Sequence, residues 1–205
     1  WERKGFRFKM PIKLLDSTLV SLTISVYDWA HYTTSKGAVK MHTLLDYDCL
    51  LPEFMNITGG KRTDNKAAFD IEIKPHSIVV ADRGYCDYGL LNHWDSNKDD
   101  IQHRTIKELP LPEKHAQNVL LDEIIEFELP TAKDKCPKRL RRIAVWDEEH
   151  GFVIELLSNN VTLAASTIAK LYKARWNIEI FFHNLKQLLR IKSFIGISRN
   201  AVETQ

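Results

Sequence analysis

Apolar positions in the first half of the chain predict four strands and two short helices. Lys13–Ser25 is rich in Leu, Val, Ile and Thr, and Ala38–Asp48 and Leu50–Thr58 continue this pattern with hairpin-like spacing between them. Ile78–Ala81 is entirely apolar, which is typical of a strand buried on both faces at the centre of a sheet. Asn65–Ile73 predicts the first helix, and a second short helix is expected over Tyr88–Trp94.

The second half predicts more strands and then one long helix. The polar segment from Asp95 to about Lys138 has short strand signals between prolines, and Arg141–Asp147 with Gly151–Asn160 predicts a β-hairpin. Ser158 or Asn160 is a candidate N-cap for the helix. Its apolar positions at helical spacing are Ile168, Leu171, Ile178, Phe181, Phe182, Leu185, Leu188 and Leu189.

Four polar side chains share one stripe of this predicted helix. At about 100° of turn per residue, they fall within roughly 60° of one another. They are Tyr172, Arg175, Glu179 and Lys186. One interpretation is a buried Arg–Glu ion pair with solvated ends. The other is a metal-binding carboxylate flanked by cationic residues that face an anion.

Composition narrows the class of protein. The 205 residues suffice for one sizeable domain, or for one domain with an insertion. The chain shows no apolar run of membrane-spanning length and no signal peptide, and its start at Trp1 indicates a fragment of a longer polypeptide. Cys49, Cys86 and Cys136 follow no pairing or zinc-binding pattern, which favours a reducing cytoplasm.

The distribution of charge says more than its sum. The formal net charge is only +2, yet residues 161–205 carry seven Lys or Arg against Glu179 and Glu203. This excess favours a surface that faces an anion, although solvated helix faces of mixed sign would look similar.

Three acids are candidates for chemistry. Asp16 interrupts an apolar strand, Asp82 directly follows another, and Glu179 lies on the polar stripe. Each also has a simpler explanation. Asp16 could pair with Lys13 or Lys40, Asp82 could begin a turn, and Glu179 could be the partner of Arg175.

Together these residues resemble the DDE transposases of bacterial insertion sequences, in the "insertion sequence four" family. The stretch "YKARWNIEIFFHNLK" matches the family's Tyr-x2-Arg-x3-Glu-x6-Lys signature. The segments "LLDSTLVSL", "KGAVKMHTLLD", "VADRGYCDY" and "LSNN" match the family elsewhere, so the resemblance covers nearly the whole chain.

The resemblance implies an α/β fold, with a ribonuclease-H-like mixed sheet flanked by helices and a β-rich insertion between the second Asp and the Glu. The expected organisation is 1–95 for the first part of the core, 96–157 for the insertion, and 158–205 for the C-terminal helix with the catalytic Glu. The implied partner is double-stranded DNA, at transposon ends and target, with a homodimer at full length and no membrane.

The implied chemistry is two-metal phosphoryl transfer. Asp16, Asp82 and Glu179 would hold two Mg²⁺ or Mn²⁺ ions for strand cleavage and strand transfer. Contacts to DNA phosphates are implied for Tyr172, Arg175 and Lys186. An aromatic of the insertion would stack on a flipped base. Trp146 and Phe152 are candidates, although packing in the core or within the hairpin is the simpler expectation for Trp146.

The sequence departs from the family after Asp95, where a strand expected before the insertion is shortened or missing. The family's N-terminal DNA-binding region is not in this sequence either. A non-catalytic DNA-binding remnant therefore remains an alternative to a transposase core. A general nuclease of the same fold would explain the acids but not the spacing of Tyr172, Arg175 and Lys186.

Overall fold

The computed structural model describes residues 6, 9–22, 37–85, 87, 90, 103–111, 118–127, 139–188, 198 and 200–201. The chain forms two compact units. Unit 1 comprises Trp1–Tyr85 and Arg175–Gln205, and unit 2 comprises Cys86–Ala174. Each unit contains one four-stranded sheet.

The sheet of unit 1 is mixed. Its strands are β1 Ile12–Leu22, β2 Gly37–Asp46, β3 Pro52–Gly59 and β4 Ile78–Ala81, in the order β3-β2-β1-β4. β2 is antiparallel to both of its neighbours, whereas β4 is parallel to β1. The four predicted strands and the β2–β3 hairpin are thereby confirmed.

The strand buried on both faces is β1. Leu14 and Leu15 point to opposite faces, and both are fully buried. β4 lies at the end of the described sheet, and within it only Val80 is buried. The expectation that this all-apolar segment is buried on both faces is therefore wrong. Among the described strands, β1 has a hydrogen-bonded neighbour on each side and is buried on both faces, although it carries Lys13 and Asp16.

Unit 2 is built on an antiparallel sheet. Its strands are β5 His103–Glu108, β6 Val119–Phe127, β7 Leu140–Asp147 and β8 Phe152–Ser158, paired in chain order. The predicted β7–β8 hairpin and the strand-rich segment before it are confirmed. A buried hydrophobic cluster forms the core of this unit and consists of Val119, Ile143, Leu156, Ala165 and Ile168.

Among the described residues, three helices accompany the sheets: α1 Asp64–Ala68, α2 Ala165–Ala174 and α3 Trp176–Leu188. α3 contacts β1 within unit 1, and its Ile178 and Phe182 are buried. A short 3-10 turn, Arg83–Tyr85, follows β4. The helix expected over Tyr88–Trp94 lies outside the described residues, except for Leu90.

The single long helix predicted from the sequence is two helices. α2 ends at Ala174 and α3 begins at Trp176, so Tyr172 belongs to unit 2 while the rest of the polar stripe belongs to unit 1. Neither proposed N-cap acts as one. The Asn160 side chain accepts the N–H groups of Thr162 and Leu163, which forms a local turn, and the helix starts only after it.

Candidate active site

The parallel pairing of β1 with β4 brings two of the candidate acids to neighbouring positions. Leu15 is the register partner of Ala81. Asp16 and Asp82 each follow these paired residues by one position. The structure therefore places side by side two aspartates that are 66 positions apart in sequence.

Arg175 joins the third acid to the first. Its Nη1 lies 3.2 Å from Asp16 Oδ2, and its Nη2 lies 2.8 Å from Glu179 Oε1. The side chains of Arg175 and Asp16 are only 13% and 15% exposed, so this contact is shielded from water. One guanidinium thus neutralises a carboxylate from β1 and another from α3.

The charges of Asp82 and Glu179 act on the ionisation of Asp16. Burial raises the pKa of Asp16 to about 6. The N–H of Ser17 and the charge of Arg175 act in the opposite direction, while the negative charges of Asp82 and Glu179 add to the increase in pKa. Asp16, Asp82 and Glu179 are therefore close enough for one to influence the ionisation of another.

The simpler explanations hold for two of the acids. Glu179 is a partner of Arg175, and Asp82 Oδ1 accepts the N–H of Gly84 at 2.6 Å in a turn. Asp16 pairs with neither lysine suggested by the sequence. Among the described residues, Lys13 instead pairs with Asp46 and Glu53, and Lys40 pairs with Asp64.

Replacing Asp16 with asparagine should change the pH dependence of stability. The folded-state pKa of about 6 exceeds the ordinary 3.8, so the stabilisation from the bound proton is complete below about pH 4 and is lost as the pH rises through 6. A difference of about two pKa units corresponds to about 3 kcal/mol. Relative to the wild type, the variant should therefore gain about 3 kcal/mol of unfolding free energy between about pH 4 and pH 7.

This experiment compares two proteins because His42 acts in the opposite direction. Burial lowers the pKa of His42 to about 4, so its contribution to stability is present above pH 6.5 and is lost as the pH falls. Urea unfolding in the presence of a chelator, at both pH values, measures the difference. A difference between wild type and variant that does not vary with pH would contradict the raised pKa.

The predicted DNA contacts have different surroundings. Lys186 on α3 is half-buried, its pKa is lowered by burial, and no described residue forms an ion pair with it. Tyr172 packs partly buried against the core of unit 2. Trp146 and Phe152 are on the β7–β8 hairpin with 40% and 52% of their surface exposed, so neither is a core residue.

Two groups of residues were not singled out from the sequence. Within the described residues, Asp147, Glu149 and His150 bring ligand atoms within 4.8 Å of one another. They occupy the β7–β8 turn, where Asp147 accepts the N–H of Glu149 and meets His150 Nδ1 at 2.9 Å. Turn formation is a sufficient explanation for them. The second is a single residue, Asp64, at the start of α1. Its only signal in the sequence is that of an acid in a first helical turn.

Comparison with known proteins identifies the family. The sequence model described as Transposase DDE domain matches residues 7–205. The chain belongs to this DDE transposase family. A probable transposase of insertion sequence element IS5377 from Geobacillus stearothermophilus is 28% identical over 99% of this chain and 55% of its own length. The resemblance inferred from the sequence motifs is thereby confirmed at the level of the DDE transposases.

Two further relatives carry transposase names. They are y4zB from Sinorhizobium fredii, 30% identical over 95% of this chain and 56% of its own length, and the protein of element IS4SA from Synechocystis sp., 26% identical over 93% and 55%. The chain thus spans about half the length of the curated relatives that it matches. Among the described residues, no helix is both long and apolar enough to cross a membrane.

The donor chemistry of the three acids fits a divalent cation. Carboxylate oxygens are the ligands that Mg²⁺ and Mn²⁺ prefer. The guanidinium of Arg175 between Asp16 and Glu179 shows that positive charge is stabilised at this position. Members of the DDE transposase family act in DNA transposition, and the site of this chain has the ligand types that metal-dependent chemistry requires.

Proposed function

We propose that the chain is the catalytic core of a cut-and-paste transposase that cleaves and joins DNA strands with the help of two Mg²⁺ or Mn²⁺ ions. The observation that carries this proposal is the adjacency of Asp16 and Asp82 at neighbouring parallel strands of unit 1, with Arg175 contacting both Asp16 and Glu179. The proposed fold is ribonuclease-H-like, and the order β3-β2-β1-β4 with a parallel β4 supports it.

In this proposal Asp16, Asp82 and Glu179 are the metal ligands. When bound, the ions activate the attacking oxygen and stabilise the leaving oxygen of the phosphodiester. Asp82 stands directly after β4, and Glu179 stands one turn after Arg175 at the start of α3. Both carboxylates therefore stand on or directly after a regular element, which reduces the ordering needed when the ions bind.

The proposed DNA contacts are Tyr172, Arg175 and Lys186. Lys186 is a partly desolvated cation without an ion-pair partner in the described chain, so a phosphate oxygen would restore the interactions that burial removes. Arg175 presents a planar fork of donors that suits a phosphate as well as a carboxylate. Trp146 or Phe152 would stack on an unpaired base, which their exposure permits.

The proposed organisation remains 1–95 and 158–205 for the core and 96–157 for the insertion. The full-length protein would act in the bacterial cytoplasm, as a homodimer on paired transposon ends and target DNA. We expect the chain to bind DNA mainly through phosphates, with a strong dependence on salt concentration.

Metal binding tests this proposal. We expect Mn²⁺ to bind the chain in calorimetry near neutral pH, and Asp82→Asn to weaken the affinity at least tenfold, or about 1.4 kcal/mol. Asp147→Asn is the matched control, because it removes a carboxylate from the exposed turn of unit 2 and should leave the affinity unchanged. Far-UV circular dichroism verifies that each variant is folded.

Two results would count against the proposal. If Asp147→Asn removes the binding and Asp82→Asn does not, the metal is held by the hairpin turn. If the folded wild type binds no Mn²⁺ either alone or with duplex DNA, the non-catalytic DNA-binding remnant becomes the better explanation.

A further inference from the structure

Asp64 contacts the candidate active site from the side opposite to Arg175. Successive residues of a strand point to opposite faces, so Asp16 faces one side of the sheet and Ser17 the other. Arg175 reaches Asp16 on the first side. On the second side, the hydroxyl of Ser17 donates a hydrogen bond to Asp64 Oδ1. Asp64 therefore holds the residue next to Asp16 on β1.

The same carboxylate also holds the neighbouring strand. Lys40 Nζ on β2 lies 3.2 Å from Asp64 Oδ1, with its side chain only 14% exposed. His42 Nδ1 lies 3.6 Å from the same oxygen, which is beyond hydrogen-bond distance, and His42 is completely buried with its Nε2 bonded to Thr58. The first residue of α1 thus links β1 at Ser17 with β2 at Lys40.

The turn that carries Asp82 packs against Asp64 as well. A Cβ atom added to Gly84 would lie 3.0 Å from Asp82 Oδ1 and 3.9 Å from Asp64 Oδ2. The next residue, Tyr85, is 3% exposed. Burial raises the pKa of this phenol, the charges of Asp64, Asp16 and Asp82 add to the increase, and a hydrogen bond with Ser17 opposes it.

From these contacts we infer that Asp64 is a positioning residue of the candidate metal site, which acts on Asp16 through Ser17. This inference rests on the proposed function, since it requires that Asp16 and Asp82 bind metal. The bond to Ser17 restricts β1 next to Asp16, whose Oδ1 accepts the N–H of Ser17. Partners of this kind commonly change metal affinity by one to two orders of magnitude, although they do not touch the metal.

The test uses Asp64→Ala and Ser17→Ala, each followed by Mn²⁺ calorimetry and urea unfolding. Asp64→Ala removes the acceptor of the Ser17 hydroxyl and should weaken Mn²⁺ binding about tenfold. Ser17→Ala should reproduce much of this loss, and the double variant should lose no more than Asp64→Ala alone, because both changes break the same link. Asp70→Ala is the matched control, as it removes an exposed carboxylate that pairs with Arg62 and should leave the affinity unchanged.

Each outcome decides one question. If Asp64→Ala lowers only the unfolding free energy and leaves Mn²⁺ affinity at the wild-type value, Asp64 is merely the ion-pair partner of Lys40 and the inference is wrong. Additive losses in the double variant would also overturn it, because Asp64 would then not act through Ser17. If Mn²⁺ binds but Asp82→Asn binds it equally well, the proposed function fails instead. Should Asp64→Ala not fold, Ser17→Ala against wild type still separates these results.

Discussion

Replacement of Arg141 by methionine is expected to lower the free energy of unfolding of unit 2 by about 3–5 kcal/mol. Arg141 on β7 contacts both carboxylate oxygens of Asp122 on β6, at 2.7 and 2.6 Å, and its Nη1 donates to the carbonyl of Leu163 ahead of α2. Both charged side chains are about 95% buried, at 5% and 4% exposure. Without Arg141, the Asp122 charge would be buried with no compensating cation.

This loss is a large fraction of the roughly 5–15 kcal/mol by which a folded domain is typically stable. Urea unfolding followed by far-UV circular dichroism measures it. Arg139→Met makes the same substitution at an exposed position two residues away, and we expect it to change stability by about 0.5 kcal/mol or less.

A double variant distinguishes the two contributions of this ion pair. Arg141→Met combined with Asp122→Leu should recover most of the lost stability, because an apolar pair of similar volume avoids the desolvation of both charges. If the double variant remains as unstable as Arg141→Met, the bond to the Leu163 carbonyl is the more important contact. A loss below about 1 kcal/mol for Arg141→Met would contradict the expected penalty for an unpaired buried charge.

Replacement of Arg175 by glutamine is expected to tighten Mn²⁺ binding to the chain between about tenfold and a hundredfold. In the wild type the guanidinium contacts Asp16 and Glu179, and these contacts compete with any cation that uses the same oxygens. A hydrogen bond to a charged group contributes about 1.5–3 kcal/mol, which sets the size of the expected change. Calorimetry on the folded variant measures it.

The control for this prediction is Arg62→Gln. Arg62 belongs to the same unit, pairs with Asp70 and is 37% exposed. Among the described residues it forms no ion pair with Asp16, Asp82 or Glu179. Its removal should leave Mn²⁺ affinity unchanged. Arg175→Lys should give an intermediate affinity, because an ammonium group lacks the planar fork that reaches two carboxylates at once.

Duplex DNA provides a second measurement on the same variant. If phosphate draws Arg175 away from the carboxylates, DNA should increase the Mn²⁺ affinity of the wild type more than that of Arg175→Gln, and Mn²⁺ should strengthen DNA binding by the same factor. A weaker Mn²⁺ affinity in Arg175→Gln would instead mean that Arg175 organises the carboxylates rather than competing for them.

The elements that sequence reasoning predicted well are those whose signal is local. The β2–β3 and β7–β8 hairpins and the strand Ile78–Ala81 follow from runs of strand-forming residues between turn residues. The apolar positions keep helical spacing through residue 175, so the sequence predicts one continuous helix where the structure has two. Helical periodicity does not show where a helix is interrupted, and the interruption here coincides with the boundary between two compact units.

The sequence by itself determined the family, the strands and the types of chemical group available, because motif spacing and strand periodicity are properties of neighbouring residues. Only the tertiary structure decided that β1 rather than β4 is buried on both faces, that Arg175 joins Asp16 to Glu179, and that Asp64 reaches Ser17. The contact of Asp64 with Ser17 joins residues 47 positions apart, and that of Arg175 with Asp16 joins residues 159 positions apart. They depend on strand register and on which side of the sheet each helix packs, and no local pattern of residues encodes either one.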